Sequence, residues 1–157
     1  MSWVKWIETK DVVTARPDET VADAVQRMDE RRIGAVLVMD GDELKGIFTE
    51  RDALRRVMAS PDRKAATTPV GEVATPDPKV VLEETPIEDC ARLVRDYGFR
   101  HVPVVDAQGV PVGIISSRDF LRFVVGELET LISRAYTAQS CAELSDPYAS
   151  LAAGNYD

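Results

Sequence analysis

The sequence predicts a mixed α/β (α+β) fold made of two β-α-β-β-α repeats packed on each other. Three observations carry this reading. An apolar stripe at helical spacing occurs twice, a pair of short apolar runs joined by a glycine-bearing turn occurs twice, and one seven-residue motif closes each copy.

The stripe comes first in each copy. Val21, Ala24, Val25 and Met28 reappear 66 positions on as Ile87, Cys90, Ala91 and Val94. This is the i, i+3, i+4, i+7 spacing of a helix with one buried face. Next come Ala35-Val36-Leu37-Val38-Met39 and Val102-Pro103-Val104-Val105, which read as strands. Asp40-Gly41-Asp42-Glu43 and Asp106-Ala107-Gln108-Gly109 then turn the chain. The second strands are Leu44 to Phe48 and Pro111 to Ile115. From here the offset is 67, as between Asp52 and Asp119, so the second turn holds one extra residue. Leading strands are expected near Asp11 to Thr14 and Pro78 to Leu82. A strand joined through a helix to the next strand implies a mixed sheet carrying helices. Each repeat alone is too small to bury enough surface, so the copies should pack face to face. The organisation read from this is a first repeat over 1–60, a linker over 61–71 with two prolines, a second repeat over 72–126, and a helical extension and tail over 127–157.

Composition narrows the function classes. Of 157 residues 45% are apolar, enough for a packed core, and the formal net charge is −8. An acidic chain is a poor partner for nucleic acid or for a membrane surface. No apolar run approaches the roughly 18 residues of a membrane helix, and the first ten residues have no signal-peptide pattern. Cys90 and Cys141 lack a C-x-x-C spacing and read as free thiols in a reducing compartment, so the expected location is the cytoplasm. Cys90 lies on the apolar stripe and should be core, while Trp3 and Trp6 are expected to cover a helix or a dimer face. The single histidine, and the lack of a P-loop, a G-x-S-x-G elbow or a metal-ligand cluster, leave no catalytic residues and no metal site to name.

The sharpest feature is Gly46-Ile47-Phe48-Thr49-Glu50-Arg51-Asp52, repeated as Gly113-Ile114-Ile115-Ser116-Ser117-Arg118-Asp119. A hydroxyl followed three residues later by an acid is a helix cap, worth about 1 kcal/mol. The same helix start can face an anion, because its free N–H groups and dipole favour negative charge. A carboxylate there can accept both hydroxyls of a ribose diol, and Arg51 and Arg118 bring compensating charge. One copy would be read as a cap; two copies in equivalent places weigh toward binding.

With this doubled motif the chain resembles a tandem pair of CBS domains (cystathionine-β-synthase-type domains), the Bateman module, of the small stand-alone bacterial or archaeal type. The resemblance runs from about Glu8 to Val125 and includes Glu8-Thr9-Lys10-Asp11-Val12-Val13, Ala74-Thr75-Pro76-Asp77-Pro78-Lys79 and Arg100-His101-Val102-Pro103-Val104-Val105-Asp106. It implies a pseudo-two-fold unit with two clefts that take adenosyl compounds: AMP, ADP or ATP, or else S-adenosylmethionine or NAD. Asp52 and Asp119 would hold riboses, and Thr49 and Ser116 would contact phosphate or ribose. Val12, Val13 and Thr14, with Lys79, Val80 and Val81, would edge the adenine pockets. Gly34-Ala35-Val36 and Arg100-His101-Val102, with Pro103, would face the ligand. Only the second copy is basic here, and its Arg100 and His101 should point across the pseudo-two-fold toward the Asp52 ligand, making that cleft the tighter one. The resemblance further implies a homodimer built through the helices after the motifs, using Leu54, Val57, Met58, Phe120, Leu121, Val124 and Val125. It implies a regulated protein acted on in trans, with no cofactor required. The competing reading is a structural dimerisation module with empty clefts.

Overall fold

The computed structural model describes residues 12–138. Trp3, Trp6, Cys141, the expected strand start at Asp11 and the tail from 139 lie outside these residues. The chain divides into two compact units, residues 1–120 and 121–157.

The first half of the first unit opens with β1 (Thr14–Ala15) and α1 (Val21–Arg31). Thr20 caps α1 by accepting the Asp23 amide at 3.1 Å, and Arg32 ends it in the left-handed conformation, φ 54°. Next come β2 (Ala35–Asp40), β3 (Glu43–Thr49) and α2 (Glu50–Asp52), which runs on into a π-helical stretch, Ala53–Met58. Then follow α3 (Val70–Val73) and β4 (Thr75–Pro76). The sheet order is β1-β2-β3-β4, with β1 and β2 parallel and the other pairs antiparallel. The second half has β5 (Val81–Leu82), α4 (Ile87–Tyr97), β6 (His101–Val105) and β7 (Pro111–Ser116), followed by α5 (Ser117–Ala138). Its sheet order is β5-β6-β7, with the same parallel and antiparallel pairings.

The repetition extends to a backbone irregularity. The β2–β3 register slips between Val38 and Met39, and the β6–β7 register slips between Val104 and Val105, the equivalent place. The extra residue of the second turn is also present. Asp106 accepts the amides of Gln108 at 2.9 Å and Val110 at 2.8 Å, and Gly109 takes φ +84° to close the longer loop.

Strand β2 is apolar at nearly every position because both its faces are covered. Val36 and Val38 pack inward with Phe48, Met28, Val57, Val70 and Val73. Ala35 and Leu37 face the other way and meet Ile47 and Ile114, equivalent residues of the two halves. This second cluster is the seam between the repeats, as the face-to-face expectation required. The second half has its own core of Val81, Cys90, Val102, Val104 and Ile115. Cys90 is core as expected, and burial above all, with help from the Asp89 charge, pushes its thiol up to about 11.

Three features depart from the sequence reading. The leading strands are two residues long rather than four or five, so Val12, Val13, Pro78, Lys79 and Val80 lie outside them. Segment 61–71 is more than a connector: Thr68 and Val70 are buried, and the carbonyls of Thr68 and Ala65 accept the Val21 and Ala22 amides at 2.9 Å each. Val57, expected on an exposed dimer face, is 2% exposed and belongs to the first core.

Candidate functional site

Both motif copies form the same structure. Thr49 ends β3 and caps α2: its hydroxyl donates to Asp52 Oδ2 at 2.7 Å, its amide donates to the same oxygen at 3.0 Å, and the hydroxyl accepts the Asp52 amide at 3.3 Å. Ser116 and Asp119 repeat this at 2.6, 2.8 and 3.2 Å. Asp52 and Asp119 are among the few buried charged residues. The residue ahead of each second strand closes on the same place. The Gly34 carbonyl accepts the Glu50 amide at 3.1 Å, and the Arg100 carbonyl accepts the Ser117 amide at 2.9 Å. The motif glycine has its own reason in the first half. A Cβ on Gly46 would lie 2.9 Å from the Thr75 carbonyl oxygen of β4, so this strand pairing requires glycine.

The second half reaches the first at His101. A Cβ on Gly34 would lie 3.2 Å from His101 Nε2 and 3.5 Å from a Glu50 carboxylate oxygen. His101 of β6 therefore stands against the start of β2 and the start of α2. Burial, reinforced by Arg100, holds its imidazole below the ordinary value; Glu50 and Asp119 pull upward and Arg51 again downward. The ring is thus mainly neutral near pH 7 and brings little charge to the site.

The expected residues sort into two groups. The backbone places Thr49, Arg51 and Asp52 at the start of α2, Ser116, Arg118 and Asp119 at the start of α5, and Arg100 and His101 at the strand end beside the latter, with the three arginines exposed. Thr14, Lys79 and Val80 are exposed and Val12 and Val13 half-buried. The side chains of Ala35, Val36, Val81, Val102 and Pro103 are instead buried in the cores or the seam, so these positions can offer a ligand only backbone. Two open grooves lie elsewhere. One is lined by Glu19, Asp23 and Glu30 together with Arg16 and Arg27, the other by Asp42, Glu43 and Asp77, whose carboxylates repel anions. Of the expected residues only Val80 lines either groove. Sequence reasoning missed Arg56, whose Nε lies 3.3 Å from Asp52 Oδ1. The available signal was the i, i+4 spacing of an acid and a base at a helix start. Among the described residues no cluster of His, Cys, Asp and Glu could hold a metal ion, and no helix is long and apolar enough to cross a membrane.

Comparison with known proteins decides the family. The CBS domain family matches residues 7–59 and again 70–126. The chain belongs to the CBS-domain family. A CBS domain-containing protein of Bacillus subtilis, YhcV, is 32% identical over 119 residues, covering 76% of this chain and 83% of that protein. The mitochondrial CBS domain-containing protein CBSX3 of Arabidopsis thaliana is 37% identical over 115 residues, which are 70% of this chain and 55% of that one. Among solved structures, a signal-transduction protein with CBS domains from Burkholderia ambifaria superposes with a TM-score of 0.70 at 35% identity, covering 74% of this chain and 85% of that one. CBSX2 of Arabidopsis thaliana, solved in complex with AMP, gives a TM-score of 0.65 at 27% identity over 80% of this chain and 96% of that one. The fold is thus a CBS pair, with two repeats sharing one apolar seam.

Proposed function

We propose that this CBS pair is a regulatory module, not an enzyme, that binds an adenosyl nucleotide (AMP, ADP or ATP) at its two motif ends and passes occupancy to a partner protein in trans. The observation that carries this reading is the doubled hydroxyl–carboxylate pair, Thr49–Asp52 and Ser116–Asp119, standing at equivalent strand-to-helix junctions. In each pair Oδ2 is used by the cap, and Oδ1 is the oxygen that would meet ribose hydroxyls, in the first pair beside the Arg56 guanidinium at 3.3 Å. The AMP complex of the structural neighbour CBSX2 supports the ligand class. Arg51, Arg100 and Arg118 would meet phosphate, and Val12, Val13, Thr14, Lys79 and Val80 would border the base. The buried thiol of Cys90 fits a reducing location such as the cytoplasm.

A thermal-shift panel of AMP, ADP, ATP, NAD and S-adenosylmethionine tests this. A ligand at 100 times its dissociation constant adds about 2.7 kcal/mol, several degrees of melting temperature. If no adenosyl compound moves the melting temperature at millimolar concentration, the module is a structural one with empty clefts. A specific observation gives that second reading weight: Leu54 and Met58, one turn apart after the first motif, are 65% and 72% exposed. In the sensor reading the same face forms the homodimer.

A further inference from the structure

We infer that Arg56 is a positioning residue that relays occupancy of the Asp52 motif end to the segment joining the two repeats. The inference rests on the reading of that end as a nucleotide site. The Arg56 side chain lies between the two. Its Nε is 3.3 Å from Asp52 Oδ1, one terminal nitrogen donates to the Val73 carbonyl at 2.9 Å, and the other donates to Thr75 Oγ1 at 3.2 Å. The segment grips back, because Arg63 donates to the Arg56 carbonyl at 3.1 Å. All of these groups belong to the first compact unit. Val73 ends α3, and Thr75 opens β4 and pairs with Ile47 of β3. Val70 and Val73 are fully buried in the first core, so the joining segment is packed rather than slack.

The guanidinium cannot serve both ends unchanged. Asp52 Oδ2 accepts the amide and hydroxyl of Thr49, so a ribose hydroxyl has to meet Oδ1, the oxygen beside Arg56. A hydroxyl donating there takes acceptor capacity from the ion pair and moves Nε. The guanidinium is a rigid plane, so a movement of Nε carries both terminal nitrogens with it. The hold on Val73 and Thr75 then loosens, and with it the pairing of β4 on β3. Nothing blocks that movement from the solvent side, since the Arg56 side chain is 41% exposed. Arg56 also sits on the π-helical stretch Ala53–Met58, a rare geometry found mostly where helices carry function.

Hydrogen exchange of the full chain, with and without millimolar AMP, tests the relay. Bound ligand ordinarily slows exchange, and slowing at residues 49–53 marks occupancy of the Asp52 end. The relay predicts the opposite sign at residues 70–77. Their amides should exchange about two- to fivefold faster with AMP, the range for loosening a partly exposed ion pair and its hydrogen bonds. In Arg56→Met the segment should already exchange faster without ligand, and AMP should add nothing there while still slowing 49–53. Thr75→Val removes one anchor of the guanidinium and should shrink the response to AMP. It also keeps the idea testable if Arg56→Met melts too early. An Arg56 that merely braces the segment gives faster exchange in Arg56→Met but no acceleration by AMP in the wild type. That result overturns the inference, as does an acceleration that survives in Arg56→Met, or protection by AMP at the second motif alone. These outcomes leave the nucleotide reading standing. A wild-type chain in which AMP protects neither motif removes both.

Discussion

At the scale of single residues, the site's chemistry turns on how few groups remain uncommitted. His101 is the clearest case. Its imidazole sits between Gly34 and Glu50 of one half and its own strand in the other, and burial holds it below its ordinary value of 6.5. Below pH 6.5 the unfolded chain therefore takes up a proton that the folded chain resists. The unfolded state binds more protons, so stability falls as the pH drops through that window and is fully retained above it. Melting curves from about pH 7.5 to about pH 5.5 should show this decline, and His101→Gln should flatten it. Carboxylate titration contributes equally to both proteins, so equal slopes in the two would show that His101 is not depressed.

At the scale of elements, the motif is a strand, a cap and a turn of helix whose requirements are separable. The hydroxyl and the acid make the cap. The glycine serves a different purpose, the approach of β4 to β3. Gly46→Ala would force a methyl group to 2.9 Å from the Thr75 oxygen, a backbone atom that cannot swing away. The expected cost is about 1–3 kcal/mol in urea denaturation, the usual range for overpacking. Gly34→Ala is the comparison. Its methyl would meet the tip of His101 at 3.2 Å, and a side chain can move. It should cost clearly less stability than Gly46→Ala, and equal losses would mean that the β3–β4 approach is not the reason for glycine at position 46.

At the scale of the whole molecule, the two halves are held by apolar residues used from both sides of the same strands. Phe48 and Leu37 are fully buried, on opposite sides of that arrangement, and each contributes about 1.5–3 kcal/mol. What the seam does not cover is the outward face after the first motif. With Val57 turned into the core, Leu54 and Met58 remain as its apolar contribution, and Leu121 and Val125 of α5 are exposed as well. The proposed homodimer predicts that Leu54→Glu with Met58→Glu gives a monomer by light scattering at tens of micromolar, where the unmodified chain is a dimer. An unmodified chain that is already monomeric there removes the dimer.

Much of this protein is legible in the order of its residues. The repeat, its one-residue insertion, both helix caps and the continuous apolar run of β2 are local patterns, set by spacing and by turn and cap chemistry within a few residues. The equivalence of Asp52 and Asp119 is legible for the same reason. Four features were settled only by the tertiary structure. They are the contribution of segment 61–71 to the first core, the fourth strand β4 against Gly46, the contact of His101 with Gly34, and the hold of Arg56 on Val73 and Thr75. Each depends on a side chain or backbone group meeting a partner from another element, 17 and 19 residues away for Arg56 and in the other repeat for His101. Spacing along the chain shows which residues share a helix face or a strand face. It does not show which groups from distant segments meet, because that is decided by how the elements pack.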